Sequence, residues 1–134
     1  MNNPQPFRTN KNEAPRRTLR GGRGESIRLV DLENGPATNV DLHINYLAPD
    51  SGPGPAHYHE VAENVYVVLE GCIDVTVDGT HYRLEADDVL LIPPGAVHQT
   101  SNPGEATARF IEVYAPAGDD FHIVDEMVDQ EGQG

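Results

Sequence analysis

Residues 52–71 read GPGPAHYHEVAENVYVVLEG, and residues 87–102 read DDVLLIPPGAVHQTSN. In both stretches a run of β-branched and aromatic residues adjoins a cluster of proline and glycine, the pattern of strands set between tight reversals. His57 and His59 alternate along an extended segment, so both imidazoles leave the same face. His98 follows the Pro93-Pro94-Gly95 turn. Two imidazoles on one face and a third from a neighbouring strand can close a facial metal site with positions left open for water or substrate.

The same pattern runs outward from these stretches. SIRLVDL, VDLHINYLA, CIDVTVDG, THYRL and ATARFIEVYAP complete a set of about eight short strands, which predicts a closed or doubled antiparallel sheet and an all-β fold. Asp78-Gly79 predicts a two-residue hairpin, because both central positions of a type I′ turn need positive φ. Only residues 121–128 hint at a helix. The segment 1–24 is polar and basic, without enough apolar surface to order itself, and reads as an extended arm. Residues 25–128 form one domain, and 129–134 read as a frayed tail.

Composition narrows the function. The chain has 134 residues, 22 acidic and 9 basic, for a net charge of −13. The first 30 residues hold seven of the basic residues against Glu13 and Glu25, a net charge of +5. From residue 31 onward only Arg83 and Arg109 oppose twenty acids, a net charge of −18. So acidic a body disfavours nucleic acid and anionic membranes as partners. The basic arm is expected to dock on that body or on a partner subunit. No apolar run approaches the ~20 residues of a membrane helix, and the N-terminus lacks a signal-peptide core. Cys72 stands alone and reads as a small buried hydrophobe, in keeping with a reducing cytoplasm.

The two opening stretches resemble the paired motifs of the cupin superfamily, Gly-X5-His-X-His-X3-4-Glu-X6-Gly and Gly-X5-Pro-X-Gly-X2-His-X3-Asn. The second matches at Pro93, Gly95, His98 and Asn102. The resemblance implies an antiparallel β-barrel, the double-stranded β-helix of jelly-roll type. It also implies one divalent transition metal (Fe, Mn, Ni, Zn or Cu) held by His57, His59, His98 and a fourth residue. Three departures stand out. Gly52 lies one place closer to His57 than the motif asks. Asp87 replaces the opening glycine of the second motif. The glutamate position is split, because counting forward from His59 selects Glu63 and counting back from Gly71 selects Asn64. A Glu63 ligand would give three imidazoles and a carboxylate. An Asn64 ligand, favoured by the count from Gly71, would leave a more positive centre that polarises substrate oxygens more strongly.

Two functions follow from the resemblance. One is a metal-dependent enzyme acting on a small oxygen-bearing molecule, by dioxygenase-type oxidation or by Lewis-acid isomerisation or elimination. The other is a non-catalytic module that binds a metal or small ligand as a sensor or accessory protein. No residue stands out in the sequence as a dedicated general base, which favours chemistry run by the metal. His43, His81 and His122 read as surface or strand-face residues. Tyr46, Tyr58, Tyr66 and Phe110 are candidates to line a pocket or to pack a strand. Asn102 reads as a backbone anchor at a strand end. NVYVVL is apolar on both faces, which predicts that a second subunit covers the outer one, and the family resemblance also points to a homodimer.

Overall fold

The structure, a computed structural model, describes residues 5–35 and 39–124. The strands are β1 (Arg16–Thr18), β2 (Gly24–Val30), β3 (Asp41–Leu47), β4 (His57–Tyr58), β5 (Glu63–Glu70), β6 (Cys72–Val77), β7 (Thr80–Glu85), β8 (Val89–Ile92), β9 (His98–Ser101), β10 (Ala108–Ala115) and β11 (His122–Ile123). They form two antiparallel sheets, one ordered β1-β2-β3-β10-β5-β8 and the other β11-β4-β9-β6-β7. The sheets share a core of Leu47, Tyr66, Val68, Ile73, Val75, Leu84, Ile92 and Phe110 and do not close into a continuous barrel. Among the described residues, helix is confined to one 3₁₀ turn at Arg20–Gly22. His122–Ile123, within the segment that hinted at a helix, is a strand paired with β4, and residues 125–134, with the expected tail, lie outside the described residues.

Turn chemistry accounts for the reversals. Asp78 and Gly79 both take positive φ, 47° and 85°, at the β6–β7 hairpin, the backbone that a type I′ turn demands. Gly71, between β5 and β6, has φ 75°, and a Cβ there would lie 3.0 Å from the Ala108 backbone, so glycine is needed for both angle and space. Asn102 ties the sheets together at a strand end. Its Nδ2 donates to the carbonyls of Leu47, Ala48 and Ala106 at 2.9–3.0 Å, and its Oδ1 accepts from Gly104 N–H. Cys72 is half-buried, so it is less enclosed than its size and polarity suggest.

The six-stranded sheet inverts the usual alternation. In β3 the buried residues are Asp41, His43, Asn45 and Leu47, while Leu42, Ile44 and Tyr46 on the opposite face are only partly covered. In β10, Phe110, Glu112 and Tyr114 share the inward face. In β5, Asn64, Tyr66 and Val68 point in and Val65, Val67 and Leu69 point out. A half-buried strand normally sends its polar residues to water. Here they enter the interior, because the space between the sheets is a polar cavity.

Candidate metal centre

His57 and His59 flank the end of β4, and His98 opens β9. His57 and His98 are directly paired across the β4–β9 ladder. Their ring centroids lie 4.2 Å apart, with His59 at 5.3 Å from His57 and 5.4 Å from His98. One ring nitrogen of each lies within 4.8 Å of the others.

Each imidazole has one nitrogen committed to the backbone. His57 Nδ1 donates to Pro55 O at 2.9 Å, His59 Nδ1 to Asp120 O at 2.7 Å, and His98 Nδ1 to Ala96 O at 3.0 Å. A carbonyl can only accept, so every neutral ring carries its proton on Nδ1 and leaves the Nε2 lone pair free. Nε2 of His59 and His98 are buried without any hydrogen-bond partner. Such orphans call for an explanation, and a metal supplies one. Burial, with His98 close by, pushes the His57 pKa down to about 3, and burial lowers that of His98 as well. Both rings are therefore neutral at ordinary pH, the state a ligand needs. The donor set fits one divalent cation.

Asp120 holds the turn between β4 and β5. Its carboxylate accepts the N–H groups of Glu60, Val61 and Ala62 at 2.8–3.0 Å and faces His122 Nε2 at 2.9 Å. Burial pushes its pKa up, but these hydrogen bonds outweigh that and hold it below the usual carboxylate range. The turn also resets the alternation between His59 and β5. Glu63 is consequently exposed on the outer face, whereas Asn64 is completely buried on the inner one. Asn64 Nδ2 donates to Val113 O at 3.1 Å and to Glu112 Oε2 at 3.2 Å, and its Oδ1 is buried without a partner.

His57 and His59 open onto a cavity of about 680 Å³, a volume suited to a small organic molecule. Tyr66 and Phe110 line it and Tyr46 and Tyr58 do not. Two groups on its β3–β10 wall were not expected from sequence. Glu112 accepts from Asn45 Nδ2 at 2.8 Å and from Asn64, so its carboxylate is fixed in the interior. His43, expected at the surface or on a strand face, lies on the buried face of β3. Its Nε2 lies 3.2 Å from Asp41 Oδ1, its Nδ1 lies 3.5 Å from Ser26 Oγ, and its ring meets Tyr114 edge-on at 5.5 Å. Tyr114 in turn stacks on His59 at 5.0 Å. Starting from the apolar Phe110 and counting by two would have found Glu112. The polar-inward alternation of β3 gave no such lead.

Comparison with known proteins matches the architecture. The cupin domain model of the protein families matches residues 45–114. The chain belongs to the cupin family. This cupin is 33% identical over 93 residues to the tetracenomycin polyketide synthase protein TcmJ of Streptomyces glaucescens, covering 69% of this chain and 62% of TcmJ. It is 37% identical over 60 residues to the polyketide synthase CurC of Streptomyces cyaneus, covering 45% of this chain and 39% of CurC. The cupin therefore spans less than two thirds of either relative. Among solved structures, the polyketide cyclase RemF of Streptomyces resistomycificus superposes with a TM-score of 0.75 at 21% identity, covering 90% of this chain and 86% of RemF. No helix of the described residues is long and apolar enough to cross a membrane.

Proposed function

We propose that this cupin is a metal-assisted enzyme that moves protons on a small oxygen-bearing organic molecule, in a cyclisation or isomerisation. One observation carries the reading. The cavity lined by His57 and His59, with His98 packed behind them, also holds a positioned carboxylate, Glu112, and a buried imidazole–carboxylate pair, His43–Asp41. An oxidation run by the metal alone has no use for such groups. The polyketide names of CurC, TcmJ and RemF point to a substrate rich in carbonyl and phenol groups.

His57, His59 and His98 would hold the ion with Asn64 Oδ1 as fourth donor, a choice over Glu63 that the burial of Asn64 and the exposure of Glu63 support. Held by these residues, a divalent cation would supply Lewis-acid polarisation of a substrate oxygen. Glu112 takes a proton from the carbon beside that oxygen, while Asn45 and Asn64 keep its carboxylate aimed into the cavity. His43, oriented by Asp41, passes a proton to or from the product side. Tyr66 and Tyr114 are kept as neutral phenols by burial, which raises both their pKa values, and serve as hydrogen-bond donors. Phe110 and Phe121 give the ring system of the substrate an apolar wall.

The metal-loaded protein is tested with aryl ketones and 1,3-diketones in D₂O, following α-proton exchange by NMR and oxygen uptake in parallel. Exchange that falls about 10²–10⁴-fold in Glu112→Gln supports the reading. Oxygen consumption without exchange replaces it with oxidation, and ligand binding with neither replaces it with a non-catalytic module.

Two further expectations belong to this reading. The outer face of the six-stranded sheet carries Val89 and Leu91, 61% and 53% exposed, beside Val65, Val67, Ile111 and Val113. We infer that a second copy covers it, as a homodimer. Sedimentation as a monomer at micromolar concentration would contradict this. With the acidic surface and the lone thiol, the expected compartment is the cytoplasm.

A further inference from the structure

No step of the proton-transfer chemistry uses the basic segment near the N-terminus, yet its side chains reach the same cavity. Four of the nine basic residues, Arg17, Arg20, Arg23 and Arg28, line it. Arg17 lies on β1 and Arg28 on β2, and the 3₁₀ turn between these strands carries the other two at its ends. Leu19 seats this hairpin on the core, and its N–H donates to Gly24 O at 2.9 Å.

The arginines keep donors in reserve. Arg23 is anchored by its Nη2 to Thr100 O at 3.0 Å and lies against Gly54, where an added Cβ would sit 2.7 Å from its Nη1. Arg28 Nη1 faces Asp31 Oδ2 at 3.5 Å, while its Nε is buried without a hydrogen-bond partner. Among the described residues, no side-chain hydrogen bond or ion pair engages Arg17 or Arg20. The charges are felt inside the cavity, that of Arg23 at His57 and those of Arg28 and Arg17 at the Tyr114 hydroxyl.

Asp31 pairs with Arg28, but among the described residues no carboxylate lies within ion-pair distance of Arg17, Arg20 or Arg23. Asp31 Oδ1 already accepts the N–H groups of Glu33 and Asn34, Asp41 accepts from Gly118 N–H and faces His43, and Glu112 accepts two amides. Glu33 and Asp119 complete a set of five lining carboxylates, of which Asp31, Asp41 and Glu112 have their oxygens engaged by other groups. Guanidinium groups with unused N–H donors in a concave site are receptors for planar or tetrahedral oxyanions. The site is concave and of small-molecule size, and the acidic body around it repels polyanions.

We propose that Arg17, Arg23 and Arg28 form an oxyanion subsite at the cavity mouth, which binds a carboxylate or phosphate group of the substrate while its reacting oxygen lies at the histidines. The inference rests on the proposed function only in taking this cavity as the substrate site.

The test uses the full-length, metal-free, ¹⁵N-labelled protein and reads the arginine Nε–Hε signals by NMR. Sodium benzoate, sodium phosphate and a poly-glutamate peptide are titrated separately, with ionic strength held constant by sodium chloride. Saturable shifts at Arg17, Arg23 and Arg28 with benzoate or phosphate are expected, and whichever anion gives them identifies the group. Arg17→Gln should weaken binding about tenfold. It breaks no hydrogen bond of the described structure, so its effect is not one of folding. Arg16→Gln, whose side chain pairs with Glu25 outside the cavity, should leave the affinity unchanged. The subsite is overturned if no small anion gives a saturable shift, or if only the peptide does, which would make this an acidic-protein docking face. Turnover and metal play no part in the measurement, so failure of the D₂O exchange experiment leaves it intact.

Discussion

The two walls of the cavity are polar in opposite ways. On the five-stranded sheet, three imidazoles each bond the backbone with Nδ1, and buried Nε2 atoms of His59 and His98 are left bare. On the six-stranded sheet, Glu112 accepts from Asn45 and Asn64 and His43 faces Asp41, while the Oδ1 atoms of Asn45 and Asn64 are buried without a partner. A buried polar group without a partner costs about 1–3 kcal/mol, so the histidine wall is incomplete until something outside the chain meets it. The carboxylate wall differs in that its charged groups already have partners within the chain, and only the two amide oxygens are left bare. One wall is built to receive a ligand and the other to hold a proton-transfer apparatus in place.

The largest expected effects separate the walls. His57→Ala or His98→Ala should abolish uptake of the single equivalent of metal measured by elemental analysis. Glu112→Gln should leave that equivalent in place and remove α-proton exchange instead. If Glu112→Gln also empties the site, the two walls are one ligand sphere and the division fails.

A smaller effect sharpens the boundary between the walls at Asn64. Asn64→Ala should weaken metal binding about tenfold, measured by competition with a chelator, while Glu63→Ala should change nothing. Asp120→Ala tests the support of the histidine wall. It removes the acceptor for three N–H groups of the turn after His59, and should cost about 1–3 kcal/mol of stability in chemical denaturation. It should also loosen the metal, because the Asp120 carbonyl that accepts from His59 Nδ1 is no longer pinned to the turn.

Much of the histidine wall was legible in sequence and little of the opposite wall was. His57, His59 and His98 announce themselves by alternation and by the turn residues beside them. The Glu63/Asn64 ambiguity came from counting through residues 60–62 as if they continued a strand. They form a turn, stapled by Asp120 from the far end of the chain, and no local count can see that contact. His43 was hidden for a different reason. Alternation in VDLHINYLA separates two faces but does not say which one is inside, and the usual rule of apolar-inward chooses wrongly where the interior is a polar cavity. Glu112 shares that reversed face. The charge asymmetry of the first 30 residues was plain in sequence. What it could not convey is that a hairpin at Arg16–Val30 carries four arginines to the cavity mouth.

The gentlest way to probe the comparison is pH. Burial holds His57 near 3 and lowers His98, against the 6.5 of a free imidazole. As pH falls from 6.5 towards 3, the unfolded chain takes up protons on these rings and the folded chain does not. Stability of the metal-free protein should therefore be full above pH 6.5 and decline across that window. Asp120 acts with the same sign lower down, because its folded pKa lies below the 3.8 of a free carboxylate. Its contribution is present above that value and is lost only in stronger acid. Thermal unfolding against pH should thus show two descending stages. His57→Ala should flatten the upper one and Asp120→Ala the lower. If stability instead rises as pH drops below 6.5, the histidine wall gains protons on folding. Its Nε2 atoms would then be donors and not ligands, and the contrast between the walls would dissolve.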